Sequence, residues 1–148
     1  MSLFGMFQLS GSALAAERLR AEVATSNLAN AETTRTDEGG PYRRRMVVFK
    51  QQPASPFRLL LANSLGATEA QPAGGVQVSK VIEDQTAPLR RYEPGHPDAD
   101  KDGYVAYPNV NPVQEMVDLM GAERAYELNA SAVQATKQMI QQSLQILK

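Results

Sequence analysis

The sequence predicts an α+β chain in which N- and C-terminal helices pair as a coiled-coil-like hairpin, with a small β-containing middle domain between them. Three observations carry that reading. Apolar residues recur at helical spacing near the start, from Leu9 to Val23. A heptad pattern runs through the last part of the chain, where no proline follows Pro112. The stretch between holds most of the nine prolines and only short β-branched runs, which argues against long helices there. The expected zones are 1–37 for the first helix and its end segment, 38–110 for the middle domain with a loop near 52–75, and 111–148 for the C-terminal heptad helix.

The first helix is expected from about Met6 to Asn30. Leu9, Ala13, Ala16, Leu19 and Val23 form its stripe, and Leu14, Ala21 and Leu28 widen it. Gly11 is a mild penalty that the Ala-rich surroundings offset. Thr33-Thr34-Arg35-Thr36-Asp37 is poor helix material, and Gly39-Gly40-Pro41 ends the element.

In the middle zone, Met46-Val47-Val48-Phe49 is a short buried-strand candidate. After the Gly74-Gly75 turn, Val76, Val78 and Ile82 alternate with polar residues, although Val81 breaks strict alternation. Tyr104-Val105-Ala106-Tyr107 is a third candidate, following the turn at Asp102-Gly103. Ala54 to Gly75 is rich in Pro, Ala and Ser and reads as a loop, with Leu59-Leu60-Leu61 its apolar cluster.

The C-terminal helix has the clearest start. Asn111 stands at the N-cap, Pro112 at the first helical position and Gln114 where a capping box places it. Leu119, Tyr126, Val133, Ile140 and Leu147 then fall at seven-residue steps. Met116, Ala130 and Leu144 flank that seam on one side; Ala122, Asn129, Thr136 and Ser143, small or polar, flank it on the other. Such a helix of roughly 36 residues is about 54 Å long. The middle zone is too short to cover it, so the seam calls for the N-terminal helix, neighbouring subunits, or both.

Composition removes several functions. Without cysteine there is no disulfide, no thiolate catalysis and no Cys-ligated metal. A formal net charge of -1 supplies no field toward nucleic acid or an anionic membrane. The first basic residue is Arg18, so the start lacks the positive region of a secretory signal. No apolar run approaches the roughly 20 residues that span a bilayer. The expectation is a soluble chain that, if exported, needs no cleaved signal.

Candidate chemistry is sparse. Asp98-Ala99-Asp100-Lys101-Asp102-Gly103 copies the opening of a calcium-binding EF-hand loop, with carboxylates at positions 1, 3 and 5 and Gly at 6. Position 12 is Asn109 where a bidentate Glu belongs, and Pro94-Gly95-His96-Pro97 cannot form an entering helix. A tight turn, with Asp side chains on backbone amides and Gly103 at positive φ, accounts for the same residues. Asp98, Asp100 and Asp102 therefore stand only as weak metal candidates. His96 is the sole histidine, which leaves packing or hydrogen bonding as its expected role and an acid–base pair with Asp98 as a remote one. Glu115, Glu123 and Glu127 near Arg124 read as surface ion-pairing residues, and Tyr42-Arg43-Arg44-Arg45 and Leu89-Arg90-Arg91-Tyr92 as solvated strand ends. No catalytic set and no cofactor site is expected.

Ser26-Asn27-Leu28-Ala29-Asn30-Ala31-Glu32-Thr33-Thr34 resembles the helix-end signature of flagellar rod and hook proteins. Tyr92-Glu93-Pro94-Gly95-His96-Pro97-Asp98-Ala99-Asp100-Lys101-Asp102-Gly103-Tyr104-Val105 is similar to the corresponding stretch of the proximal-rod members of that axial family. So are Pro108-Asn109-Val110-Asn111, Glu115-Met116 and Arg124-Ala125-Tyr126-Glu127-Leu128-Asn129. The resemblance touches both ends and the middle; Gln52 to Gly75 carries none of it.

What the resemblance implies is a structural subunit of the flagellar basal-body proximal rod. Such subunits are exported unfolded through the flagellar type III export apparatus, without a cleaved signal. They polymerise in the periplasmic space with other rod proteins and copies of themselves, and transmit torque. Terminal helices form an inner tube and the middle segment an outer β-containing part. The expected assembly residues are Leu14, Val23 and Leu28 on the first helix. On the second they are Met116, Leu119, Tyr126, Val133, Ile140, Leu144 and Leu147. Asn27 and Asn30 are expected to satisfy backbone groups where the first helix ends. Nucleic acid and direct membrane insertion are not expected. Competing readings are another axial subunit, a calcium-binding interaction module on the Asp98–Gly103 loop, and an enzyme using His96.

Overall fold

The computed structural model describes residues 3–52 and 75–146. The expected 52–75 loop, with its Leu59-Leu60-Leu61 cluster, and the seam residue Leu147 fall outside the described residues. In chain order the elements are α1 (Leu3–Ala29), β1 (Arg45–Gln52), β2 (Gly75–Glu83), β3 (Leu89–Tyr92), β4 (Tyr104–Tyr107) and α2 (Pro112–Ile146). Among the described residues there are two helices and two small two-stranded sheets, β1 with β2 and β3 with β4, which is the α+β class read from the sequence.

Each boundary has a local cause. At the start of α2 the Asn111 carboxamide oxygen accepts the amides of Val113 at 3.0 Å and Gln114 at 3.4 Å, satisfying donors that the first turn leaves open. At the end of α1 the amide of Asn30 still reaches Ser26 O, and its side-chain Nδ2 donates to the same carbonyl at 2.9 Å. The chain then turns: Thr33 N–H donates to Asn30 O, and the Thr33 carbonyl receives Tyr42 N–H. Gly39 and Gly40, at φ of 87° and 78°, let this loop close in a backbone region that L side chains rarely adopt.

The chain divides into two compact units, each drawing residues from all three zones of the sequence. One comprises Leu19–Val48 and Lys80–Glu123. Within it the last part of α1 and the first turns of α2 run antiparallel: Asn27 meets Glu115, while Arg20 meets Asp118. The β3–β4 hairpin of this unit pairs Leu89 with Tyr107, Arg90 with Ala106, Arg91 with Val105 and Tyr92 with Tyr104. Val105 of β4 is buried, as are Pro108 and Val110 just after it. All four residues of β3 are exposed, so it carries no alternation of apolar and polar residues; Leu89-Arg90-Arg91-Tyr92 is a paired strand rather than only a basic segment.

The other unit comprises Met1–Arg18, Phe49–Ser79 and Arg124–Lys148. Here Ser12 joins α1 to β2, donating to Leu9 O at 2.8 Å and accepting Val76 N–H at 3.1 Å. Gly75 leaves room for this contact: a Cβ there would stand 2.9 Å from the Ser12 hydroxyl and 2.6 Å from the Gln52 amide oxygen, so those side chains would have to shift.

The face of α2 turned inward is not the apolar seam. Glu115, Ala122 and Thr136 are buried and Asn129 is half-buried, so the inward stripe repeats every seven residues along the small and polar side. Leu119, Val133 and Ile140 are half-buried, while Met116, Tyr126 and Leu144 are 51%, 43% and 61% exposed. Polar seam residues can face inward because their own helix satisfies them. Asn129 Nδ2 donates to Ala125 O and Thr136 Oγ1 to Ala132 O, each at 2.8 Å. On α1 the buried positions are Ala16, Ala24 and Asn27, with Leu14, Val23 and Leu28 half-buried beside them. Small side chains on both helices suit close backbone approach.

Candidate functional site

Asn27 is 1% exposed and uses its whole hydrogen-bonding capacity. Nδ2 donates to Arg45 O at 2.8 Å and to Glu115 Oε2 at 2.9 Å. Oδ1 accepts Arg45 N–H and the Tyr42 hydroxyl, both at 2.9 Å. Both backbone groups of the first β1 residue are thus held by one side chain of α1. Asn30 does serve its own helix end, whereas Asn27 serves a strand that begins 18 residues later.

Glu115 completes the node from α2. Its side chain is 2% exposed, and its second oxygen accepts Arg44 Nε at 2.5 Å. Arg44 also lies 3.5 Å from Asp118, which Arg20 approaches at 3.4 Å. A buried carboxylate is tolerated only when paired and hydrogen-bonded, and here both oxygens are engaged. The expected surface role of Glu115 is therefore corrected: the residue is interior, since its partners lie on α1 and on the segment before β1. Tyr42 and Arg44, read as part of a solvated cluster, belong to the same node. Their only local signal is a position just after the Gly39-Gly40-Pro41 turn.

The 93–103 connection is a second ordered cluster. Asp100 Oδ1 accepts the amides of Asp102 and Tyr104, each at 3.0 Å, and its other oxygen meets Arg90. Asp98 accepts the Thr34 hydroxyl at 2.8 Å and lies 3.8 Å from Arg35, fastening the connection to the segment after α1. The Asp98 and Asp100 carboxylates thus hold different partners, and among the described residues no group of three or more His, Cys, Asp or Glu side chains could hold a metal ion. His96 Nδ1 accepts Asp98 N–H at 3.1 Å, and its ring lies edge-on to Tyr107 at 6.3 Å. Tyr107 donates to Glu93 at 2.9 Å, and that bond raises the phenol above its ordinary value of 10.0.

Two outcomes are expected for this connection. Gly103 sits at φ 78°, and a Cβ there would lie 2.9 Å from the Tyr92 ring and 3.3 Å from Pro94 Cβ. Gly103→Ala should destabilise the chain by about 1–3 kcal/mol, read from urea unfolding. The Asp100 carboxyl is held below its ordinary value of 3.8, chiefly by the Tyr104 amide; partial desolvation opposes this, and the Asp102 amide and Arg90 reinforce it. A carboxyl depressed in the folded state contributes stability above its unfolded value and loses it as pH falls through the folded one. Thermal midpoints should therefore decline below pH 3.8 more steeply in the parent than in Asp100→Asn, which keeps an acceptor but no charge.

Residues 7–35 match the family described as "Flagella basal body rod protein", and residues 101–146 the family described as "Flagellar basal body rod FlgEFG protein C-terminal". The first segment contains Asn27 and Asn30; the second contains Gly103, Glu115 and all of α2. The chain is 43% identical over 152 residues to the flagellar basal-body rod protein FlgC of Bacillus subtilis, with 100% of each chain covered. Identity is 42% over 144 residues to FlgC of Salmonella typhimurium, covering 97% of each, and 38% over 158 residues to FlgC of Borreliella burgdorferi, covering 100% of this chain and 99% of the relative. With such identity sustained from end to end, the chain belongs to the family of flagellar basal-body rod proteins FlgC.

Proposed function

We propose that this chain is a structural subunit of the proximal part of the flagellar rod, packing against other rod proteins and copies of itself. The observation that carries this reading, beyond family membership, is the outward apolar surface of α2. Met116, Tyr126 and Leu144 are exposed, as are Val113, Val117, Met120 and Leu128. Surface of this kind on one helix marks a protein–protein contact. The proposed contacts are those residues with Leu119, Val133, Ile140 and Leu147 on α2, and Leu14, Val23 and Leu28 on α1.

The mechanism is mechanical. A subunit whose helices pack without gaps against neighbours resists bending and twisting, because close-packed side chains transmit strain. The two terminal helices build the inner tube and the middle segment the outer part. No bond is made or broken, no cofactor is used, and the chain is not an enzyme. It travels unfolded through the flagellar type III apparatus and assembles in the periplasmic space. No helix among the described residues is long and apolar enough to cross a membrane.

The test is deletion of the coding sequence in its own bacterium, with basal bodies isolated and imaged. Loss of the rod, restored by the intact chain, is the expected result. A deletion strain with complete rods and normal swimming would overturn the proposal.

A further inference from the structure

The first turns of α2 carry two opposed faces. One holds Glu115, Asp118 and Ala122; the other holds Val113, Met116, Val117 and Met120. At roughly 100° per residue these sets centre on opposite sides of the helix. Apolar content alone would bury the second set. The reverse is found: Glu115 is 2% exposed and Ala122 fully buried, whereas Val113, Met116, Val117 and Met120 are 68%, 51%, 58% and 62% exposed.

We infer that Glu115 and Asp118 are positioning residues that set the rotation of α2 about its own axis, by docking into a receptor formed by Arg20, Asn27 and Arg44. The backbone that carries each part of the receptor is held apart from α2. Asn27 is tied to Arg45 and Tyr42 by three of its four bonds, which places Arg44 next along the chain. Arg20 stands two turns earlier on α1. The two carboxylates are three residues apart, so they share one side of α2 and arrive together. Glu115 takes Asn27 and Arg44; Asp118 takes Arg44 and Arg20.

A rotation turning Met116 and Met120 inward would withdraw both carboxylates. One Asn27 N–H and the mostly buried Arg44 guanidinium would then lose their carboxylate partners, which is unfavourable. Buried polar groups of this kind select one packing among several that apolar contacts alone leave open. The consequence is that the larger apolar face of α2 is held outward. This concerns packing within one unit of the chain and does not depend on the rod reading.

The absence of cysteine makes the test direct. Met120→Cys and Ala122→Cys are made in separate full-length chains, and the rate of thiol modification is measured in each. In the parent background the thiol at position 120 should react roughly 100-fold faster than the one at 122, whose access requires local opening. Glu115→Ala combined with Asp118→Ala preserves helix propensity, and the ratio should fall below one. Glu115→Gln, with Asp118 in place, retains an acceptor and should keep the parent order. An unchanged order in the double variant overturns the inference. So do equal, fast rates at both positions with helix content retained, because the carboxylates then add only tightness. Should the double variant fail to fold, Glu115→Ala and Asp118→Ala are read singly. A fall in the ratio of about tenfold or more in either supports the inference, since a tenfold change reports a real shift between packed states; no change in both overturns it.

Discussion

Asn27→Ala is expected to lower unfolding free energy by about 3–5 kcal/mol, the range typical of breaking a buried polar cluster. The truncation leaves four groups without their partner at once: Arg45 N–H, Arg45 C=O, the Tyr42 hydroxyl and one Glu115 oxygen. Each such loss costs about 1–3 kcal/mol when the group stays dry. Water entering the vacated space and small shifts of Arg45, whose side chain is half exposed, keep the total below the simple sum. The measurement is hydrogen exchange and urea unfolding of the purified chain, read over Leu19–Val48. Asn27→Asp is the informative companion. It keeps both acceptor bonds but sets a carboxylate against Glu115, so it should be at least as damaging. A loss below about 1 kcal/mol for Asn27→Ala would place the node outside the stabilising core, since ordinary surface changes stay within that range.

Tyr126→Asp is expected to abolish incorporation into rods while leaving the free chain folded. Tyr126 is 43% exposed, so the substitution removes little from the interior, and melting should shift only slightly. In an assembled interface the same carboxylate would lose water with no cation to receive it, a penalty of several kcal/mol per ion. Each subunit would repeat that penalty along the assembly. Tyr126→Phe keeps the ring and should assemble. Ile140→Asp should block incorporation too, but Ile140 is half-buried, so its effect mixes folding with assembly. The readouts are isolated basal bodies and swimming, with circular dichroism of the purified variant as the folding control. Rods that accept the Tyr126→Asp chain at normal levels would remove this residue from the interface.

Much of the secondary structure is legible from short-range chemistry. The Asn111-Pro112 start and the absence of later proline place α2 almost to the residue, because a helix cap acts within one turn. Alternation around Val76 and Val78, and the aromatic run at Tyr104–Tyr107, locate β2 and β4 because one-sided burial marks a strand with period two. Gly103 announces its turn, and its φ is positive as the Asp102-Gly103 step requires. β3 leaves no such mark, since none of its four residues is buried and pairing with β4 alone defines it.

By itself, the sequence determined the order of the two helices with β1, β2 and β4, the helix start and the turns, and the motifs that point to the rod family. All of these rest on interactions between residues a few positions apart. Only the tertiary structure decided which face of α2 turns inward and what the buried asparagine holds. Asn27 meets Glu115 across 88 positions and Arg44 meets it across 71. A heptad pattern scored by hydrophobicity favours the Leu119, Tyr126, Val133 and Ile140 side. The folded chain buries Glu115, Ala122 and Thr136 instead; around Glu115, the cost of parting Asn27 and Arg44 from their carboxylate partners outweighs the apolar surface left outside.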